Sequence, residues 1–230
     1  MIRLARFALI AGALAAASAA SAQPVPANLE TPHLELPPAD QPPRVVPIVS
    51  YTLALIWMPQ HCFHAVGGAE ALQCGRDTGT GFVLHGLWPD GEGKNWPQWC
   101  GDASVLPHGV IAAYYRATPS PQLLQHEWAK HGTCIPGMTA DSYFHQSSRL
   151  FFALRLPDMD GLAKAPLTEA QLADSIAAVN PGTTAESIRL NLDKAGWLQE
   201  VWFCLDTNFR AMRCAAPAQP TRVVHIRSPG

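Results

Sequence analysis

Apolar residues along the chain fall into short runs with two different periods. Tyr51 to Trp57 (YTLALIW) is rich in β-formers and stops at Pro59, and Gly81 to His85 (GFVLH) is a second run that stops at Gly86. Both predict strands. In the second, alternation puts Phe82 and Leu84 on one face and Val83 and His85 on the other, with the imidazole at the strand end beside a turn that exposes Trp88 and Asp90. The period then lengthens to that of a helix over Ser104 to Tyr115. Ser120-Pro121 supplies an N-cap and a first helical position before LLQHEWAKH, which Gly132 can end, and Asp141 to Leu154 is a third helical stretch. Thr168 with Gln171, and Thr183 with Glu186, have the spacing of capping boxes and predict two more helices, the first ending near Asn180-Pro181-Gly182. Leu198 to Leu205 and Arg222 to Arg227 read as strands. Strands at both ends enclosing helices predict an α+β fold, a single domain with a central, mainly antiparallel sheet flanked by helices.

The N-terminal pattern is different in kind. Arg3 and Arg6 precede an uninterrupted apolar and small-residue stretch, Phe7 to Ala20, and Ala20-Ser21-Ala22 is a small-residue processing site, so residues 1–22 read as a signal peptide. A membrane anchor is the competing reading, but the Ala-rich stretch is short of the roughly 20 strongly apolar residues that a span needs. Export to the periplasm or the medium follows, with no membrane attachment after cleavage. Residues 23–47 hold eight prolines between Pro24 and Pro47 and predict an extended leader with no packed core of its own; the folded domain takes residues 48–230.

Composition sharpens this in two places. An oxidising compartment makes Cys62, Cys74, Cys100, Cys134, Cys204 and Cys214 an even set suited to three disulfides, and no two stand at C-x₂₋₄-C spacing as a zinc site would want. Spacing alone leaves 15 connectivities open. Of the 230 residues, 16 are Lys or Arg and 18 are Asp or Glu; removing Arg3 and Arg6 takes the formal charge from −2 to −4. A broad basic surface for nucleic acid is excluded, and any polyanion must be gripped locally.

Chemistry-bearing residues concentrate in two segments. One is His85-Gly86-Leu87-Trp88-Pro89-Asp90; the other is His126-Glu127-Trp128-Ala129-Lys130-His131, where Glu127, Lys130 and His131 fall within roughly 100° of helical arc. HEWAKH is close to the zinc-protease pattern H-E-x-x-H. Its histidines are five residues apart and not four, which separates them by about 140° on a helix, so a helix-borne metal site is not expected.

Together, HGLWPD at 85–90 and HEWAKHGTC at 126–134 resemble the two active-site segments of the ribonuclease T2 family, exported endoribonucleases of α+β fold. TLALIWMPQHC at 52–62 and EVWFCLD at 200–206 are similar to the family's first and late core strands, while residues 23–47 lie outside the likeness. The resemblance implies metal-independent cleavage of single-stranded RNA with low base specificity, without a cofactor, through 2′,3′-cyclic phosphate products. It assigns His131 as general base, His85 as general acid, Glu127 and Lys130 as supports of the pentacovalent phosphorane, and His126 as a phosphate-binding residue. Trp88 and Asp90 correspond to base-binding positions. The same likeness implies the bonds Cys62–Cys74, Cys100–Cys134 and Cys204–Cys214, and a monomer. A catalytically inactive binding protein of the same fold is the alternative. Ile56-Trp57-Met58-Pro59 departs from the family's usual Trp-Pro, which leaves the role of Gln60 and the second base site open.

Overall fold

The computed structural model describes residues 25–26, 28–64, 74 and 81–228, so the expected signal peptide lies outside the described residues. Four antiparallel strands form the sheet in the order β2-β1-β5-β4: β1 (Ser50–Trp57), β2 (Phe82–Asp90), β4 (Ile188–Leu192) and β5 (Leu198–Leu205). The short β3 (Leu167–Thr168) and β6 (Val223–Val224) pair separately. Helices α1 (Met58–His64), α2 (His108–Tyr114), α3 (Pro121–Lys130), α4 (Ala140–Ala153), α5 (Met159–Leu162) and α6 (Glu169–Ala178) complete the expected α+β domain. No helix among the described residues is long and apolar enough to cross a membrane.

One face of the sheet carries Leu53, Leu55, Leu84, Leu87, Val201 and Phe203, which pack with Tyr143, Phe144, Leu172 and Ile176 of α4 and α6 in the main core. Burying such side chains contributes roughly 1.5–3 kcal/mol each. The opposite face carries the polar groups. Helix α3 starts as its sequence predicts: Pro121 follows Ser120, whose side chain accepts from the Leu123 amide. Its end is held by the Trp99 amide, which donates to the Lys130 carbonyl at 2.8 Å.

Three expectations need correcting. The Thr183 and Glu186 spacing starts no α-helix; a capping box shifted to Thr184 and Ser187 closes only a 3₁₀ turn, Ala185–Ser187. The chain then enters β4, where Ile188 and Leu190 are buried and Arg189 is exposed, a period of two that competes with the helix signal. Arg222 to Arg227 shrinks to a two-residue strand. Finally, β2 does not stop at His85 but continues to Asp90, with no turn at Gly86.

That continuation depends on a β-bulge. Ala54 pairs with Gly86 and Leu55 with Leu84, so His85 is the extra residue. The alternation is reset there: Leu84, Leu87 and Pro89 turn to the core, while His85, Trp88 and Asp90 share the other face. The outer edge of β2 is fully engaged around the bulge. Leu84 is bonded by Ala117 and Thr118, and the Tyr143 hydroxyl donates to the Leu87 carbonyl at 3.0 Å and accepts from its amide at 3.3 Å.

Tyr143 is wholly buried, so Tyr143→Phe strands both backbone groups of Leu87. Denaturant unfolding is expected to show a loss of about 1–3 kcal/mol; a variant as stable as wild type would mean that the hydroxyl does not hold the bulge.

Candidate active site

The polar face of β2 and β5 meets the last turn of α3. Gly86 allows the contact: any Cβ there would overlap the Glu127 carboxylate and crowd Trp88 Nε1. Its cross-strand neighbour is Ala54, so two minimal side chains leave room for Glu127. Trp88 Nε1 donates to Glu127 Oε2 at 2.8 Å, and Glu127 Oε1 lies 3.5 Å from His85 Nε2 while making no hydrogen bond within the protein. Burial pushes the Glu127 carboxyl up, against the lowering effects of His85, His126, the Trp88 bond and Lys130.

His85 and His131 occupy opposite electrostatic environments. Burial acts to push the His85 imidazole down, but the 2.6 Å hydrogen bond from Nδ1 to Glu200, with the charges of Glu127 and Glu200, outweighs it and holds His85 above its ordinary value. Glu200 also accepts from Asn191 and from Trp202 Nε1; although burial opposes its charge, these bonds and His85 hold its carboxyl below the usual range. Among the described residues, His131 has no carboxylate in hydrogen-bond contact. Burial pushes it well below its ordinary value, Lys130, His126 and His85 push the same way, and its buried Nδ1 makes no hydrogen bond within the protein. Trp88 stands between the two, its ring centroid 5.0 Å from His85 and 5.5 Å from His131, against which it is stacked.

Every motif residue is therefore accounted for. His85, Trp88, Glu127, Lys130 and His131 gather in one cluster, and His126 borders it, its ring 6.5 Å from His131. Asp90 lies at the strand end, accepting from Thr52 Oγ1 at 2.7 Å, with its carboxyl raised by burial. Gln60 is buried and joined to Asp193 and Arg227. Three residues of the site were missed in the sequence: Glu200, Trp202, whose ring meets Trp88 edge-on at 5.2 Å, and Glu35 of the leader, bonded to His126. For Glu200 and Trp202 the strand period was a usable signal, since both stand opposite the core-facing Val201 and Phe203.

The angular argument against a metal is also revised. Helix α3 ends at Lys130, and with His131 at its C-cap the donor atoms of His126, Glu127 and His131 come within 4.8 Å of one another. Their remaining chemistry suits a dication poorly. Glu127 Oε2 is engaged by Trp88, His126 Nδ1 by Glu35, and the Lys130 charge bears on both Glu127 and His131.

All three expected disulfides are formed: Cys62–Cys74, Cys100–Cys134 and Cys204–Cys214. Cys100–Cys134 closes 34 residues immediately beyond His131, worth roughly 3–4 kcal/mol in the chain-entropy model, and ties the end of α3 to the segment that caps it.

Residues 49–214 match the profile of the Ribonuclease T2 family. The chain belongs to the ribonuclease T2 family. A probable ribonuclease of Haemophilus influenzae is 31% identical over 180 residues, covering 73% of this chain and 61% of the relative. A ribonuclease of Aeromonas hydrophila is 41% identical over 96 residues, 42% of this chain and 41% of the relative. The chain thus spans less than two thirds of the length of these relatives. Among solved structures, trichomaglin, described as an S-like ribonuclease, superposes with a TM-score of 0.64 at 20% identity, over 78% of this chain and 97% of its own. The complex of RNase NT with 5′-AMP gives 0.55 at 19%, over 79% and 98%. These likenesses establish the T2 ribonuclease fold.

Glu200→Gln removes the charge that holds His85 up, so the His85 imidazole is expected to titrate at lower pH than in wild type, as followed by its ring-proton NMR shifts. An unmoved midpoint would assign the raised value to other groups.

Proposed function

We propose that this protein is an exported, metal-independent endoribonuclease that cleaves single-stranded RNA by transesterification. The observation that carries the reading is the pair of imidazoles driven in opposite directions around one indole, His85 toward its protonated form and His131 toward its neutral form. Such a pair suits a reaction that needs an acid and a base at once.

In this scheme neutral His131 takes the proton of the ribose 2′-hydroxyl as the 2′-oxygen attacks phosphorus. The P–O2′ bond forms, the P–O5′ bond breaks, and protonated His85 delivers its proton to the departing 5′-oxygen. The products are a 2′,3′-cyclic phosphate and a free 5′-hydroxyl. Lys130 offers positive charge to the phosphorane oxygens, Glu127 supports the phosphorane beside it, and His126 binds phosphate. Trp88 offers stacking area and Asp90 an acceptor for the base on the 5′ side; stacking is sequence-tolerant, which suits low specificity. Locally placed charge also reconciles an RNA substrate with a slightly acidic chain, and the three disulfides support an oxidising location, periplasmic or secreted. The protein works as a monomer in this reading.

Incubation with single-stranded RNA in EDTA is expected to yield 2′,3′-cyclic phosphate ends, and His85→Ala or His131→Ala to slow cleavage by on the order of 10²–10⁴-fold each. No cleavage by wild type would favour the inactive-fold alternative, and cleavage abolished by the chelator would favour a metal reaction. The pH profile supplies a separate check. Activity requires His131 neutral and His85 protonated, so the acid limb should lie well below about 6.5 and the alkaline limb above it, giving a broad bell. A single limb centred on 6.5 would contradict the opposed shifts.

A further inference from the structure

The leader lies outside the residues matched by the family, yet it reaches the site. Pro32 is buried, Leu29 packs on the main core, and Arg44 exchanges backbone hydrogen bonds with Gln98, the residue before Trp99. Between these anchors the chain crosses α3. The His33 amide donates to Gln122 Oε1 at 2.8 Å, and Gln122 Nε2 donates to the His33 carbonyl at 3.3 Å and to Glu35 Oε1 at 2.6 Å. The other oxygen of Glu35 lies 2.6 Å from His126 Nδ1. Gln122 and His126 are one turn apart, so one carboxylate bridges successive turns of the helix that carries Glu127, Lys130 and His131.

A carboxylate can only accept, so Nδ1 of His126 must carry the proton in this bond. That fixes the tautomer and the ring plane and leaves Nε2 as the nitrogen for a ligand. Trp99 meets the same ring edge-on at 5.6 Å and restrains it from another side. His85 is held in the same way, Nδ1 on Glu200, whereas among the described residues no such partner holds His131.

We propose that Glu35 is a positioning residue, which sets His126 through Nδ1 so that Nε2 binds the substrate phosphate, and that the leader is thereby a working part of the active site. The idea rests on the ribonuclease reading for its kinetic consequences, but not for its binding test. In the full processed chain, Glu35→Ala is expected to weaken inorganic phosphate binding about tenfold, and to replace the single Nδ1–H tautomer of His126 in ¹⁵N spectra by a mixture. With RNA, the same variant should raise KM far more than it lowers kcat, and should add nothing in a His126→Ala background. Glu35→Asp should recover part of the loss, and an unchanged far-UV spectrum and melting temperature would separate the effect from misfolding. Tighter phosphate binding or a lower KM would overturn the proposal in favour of a carboxylate that competes with the substrate. Additive losses with His126→Ala, or an unaltered His126 tautomer, would overturn it as well. Phosphate binding and the ¹⁵N spectra can be read even if wild type cleaves no RNA, so failure of the ribonuclease reading is distinguishable from failure of this one.

Discussion

The Glu127 carboxylate, buried where the last turn of α3 meets β2, is the contact from which the remainder of the site is built. An ionisable group out of water is costly unless hydrogen bonds and charges meet it. Trp88 Nε1 supplies the bond, His85 and Lys130 supply the charge, and Gly86 supplies the space. Each of these partners is thereby constrained in turn. Trp88 cannot swing away without stranding Oε2, and its fixed indole then sets the positions of His85, His131 and Trp202.

Around this contact the protein divides labour between its two sheet faces. The apolar face, packed by α4 and α6, keeps β1, β2 and β5 in register. The polar face receives α3, whose length and end are set by Ser120 at one terminus and Trp99 at the other. Cys100–Cys134 locks the second of these, because Cys100 adjoins Trp99 and Cys134 lies three residues after His131. The histidines of the site are thus fixed by covalent and hydrogen-bonded restraints on backbone, and by carboxylates on the rings of His85 and His126. His131 has no such hydrogen-bonded carboxylate among the described residues, and burial with the neighbouring cationic groups pushes it toward its neutral form.

Much of this was legible in the sequence, because the features are local. Ser120-Pro121 starts a helix by short-range geometry, the runs at 51–57 and 198–205 have the composition of strands, and the two hexapeptide segments carry the chemistry on their faces. What escaped depends on contacts remote in sequence. Nothing near His85 marks it as a bulge, since its register is set by β1 thirty residues earlier. Glu35 is 91 residues from His126 in a Pro-rich stretch that reads as a spacer. Glu200 was visible as part of a strand, but its role requires the strand order that places β5 beside β1. The capping signal at Thr183 was outweighed by the pull of Ile188 and Leu190 into the core.

The bulge also bears on how this segment can vary over evolution. A plain strand offers a face only every second residue, so it could present at this point either an imidazole or an empty space, never both. With one residue added, His85 and Gly86 stand in succession on the same face, one giving the imidazole and the other the gap that Glu127 fills. Deleting either restores an ordinary strand and removes one half of the arrangement. The number of residues between Leu84 and Leu87 is thus as strict a requirement of the site as the identities of His85 and Gly86 themselves.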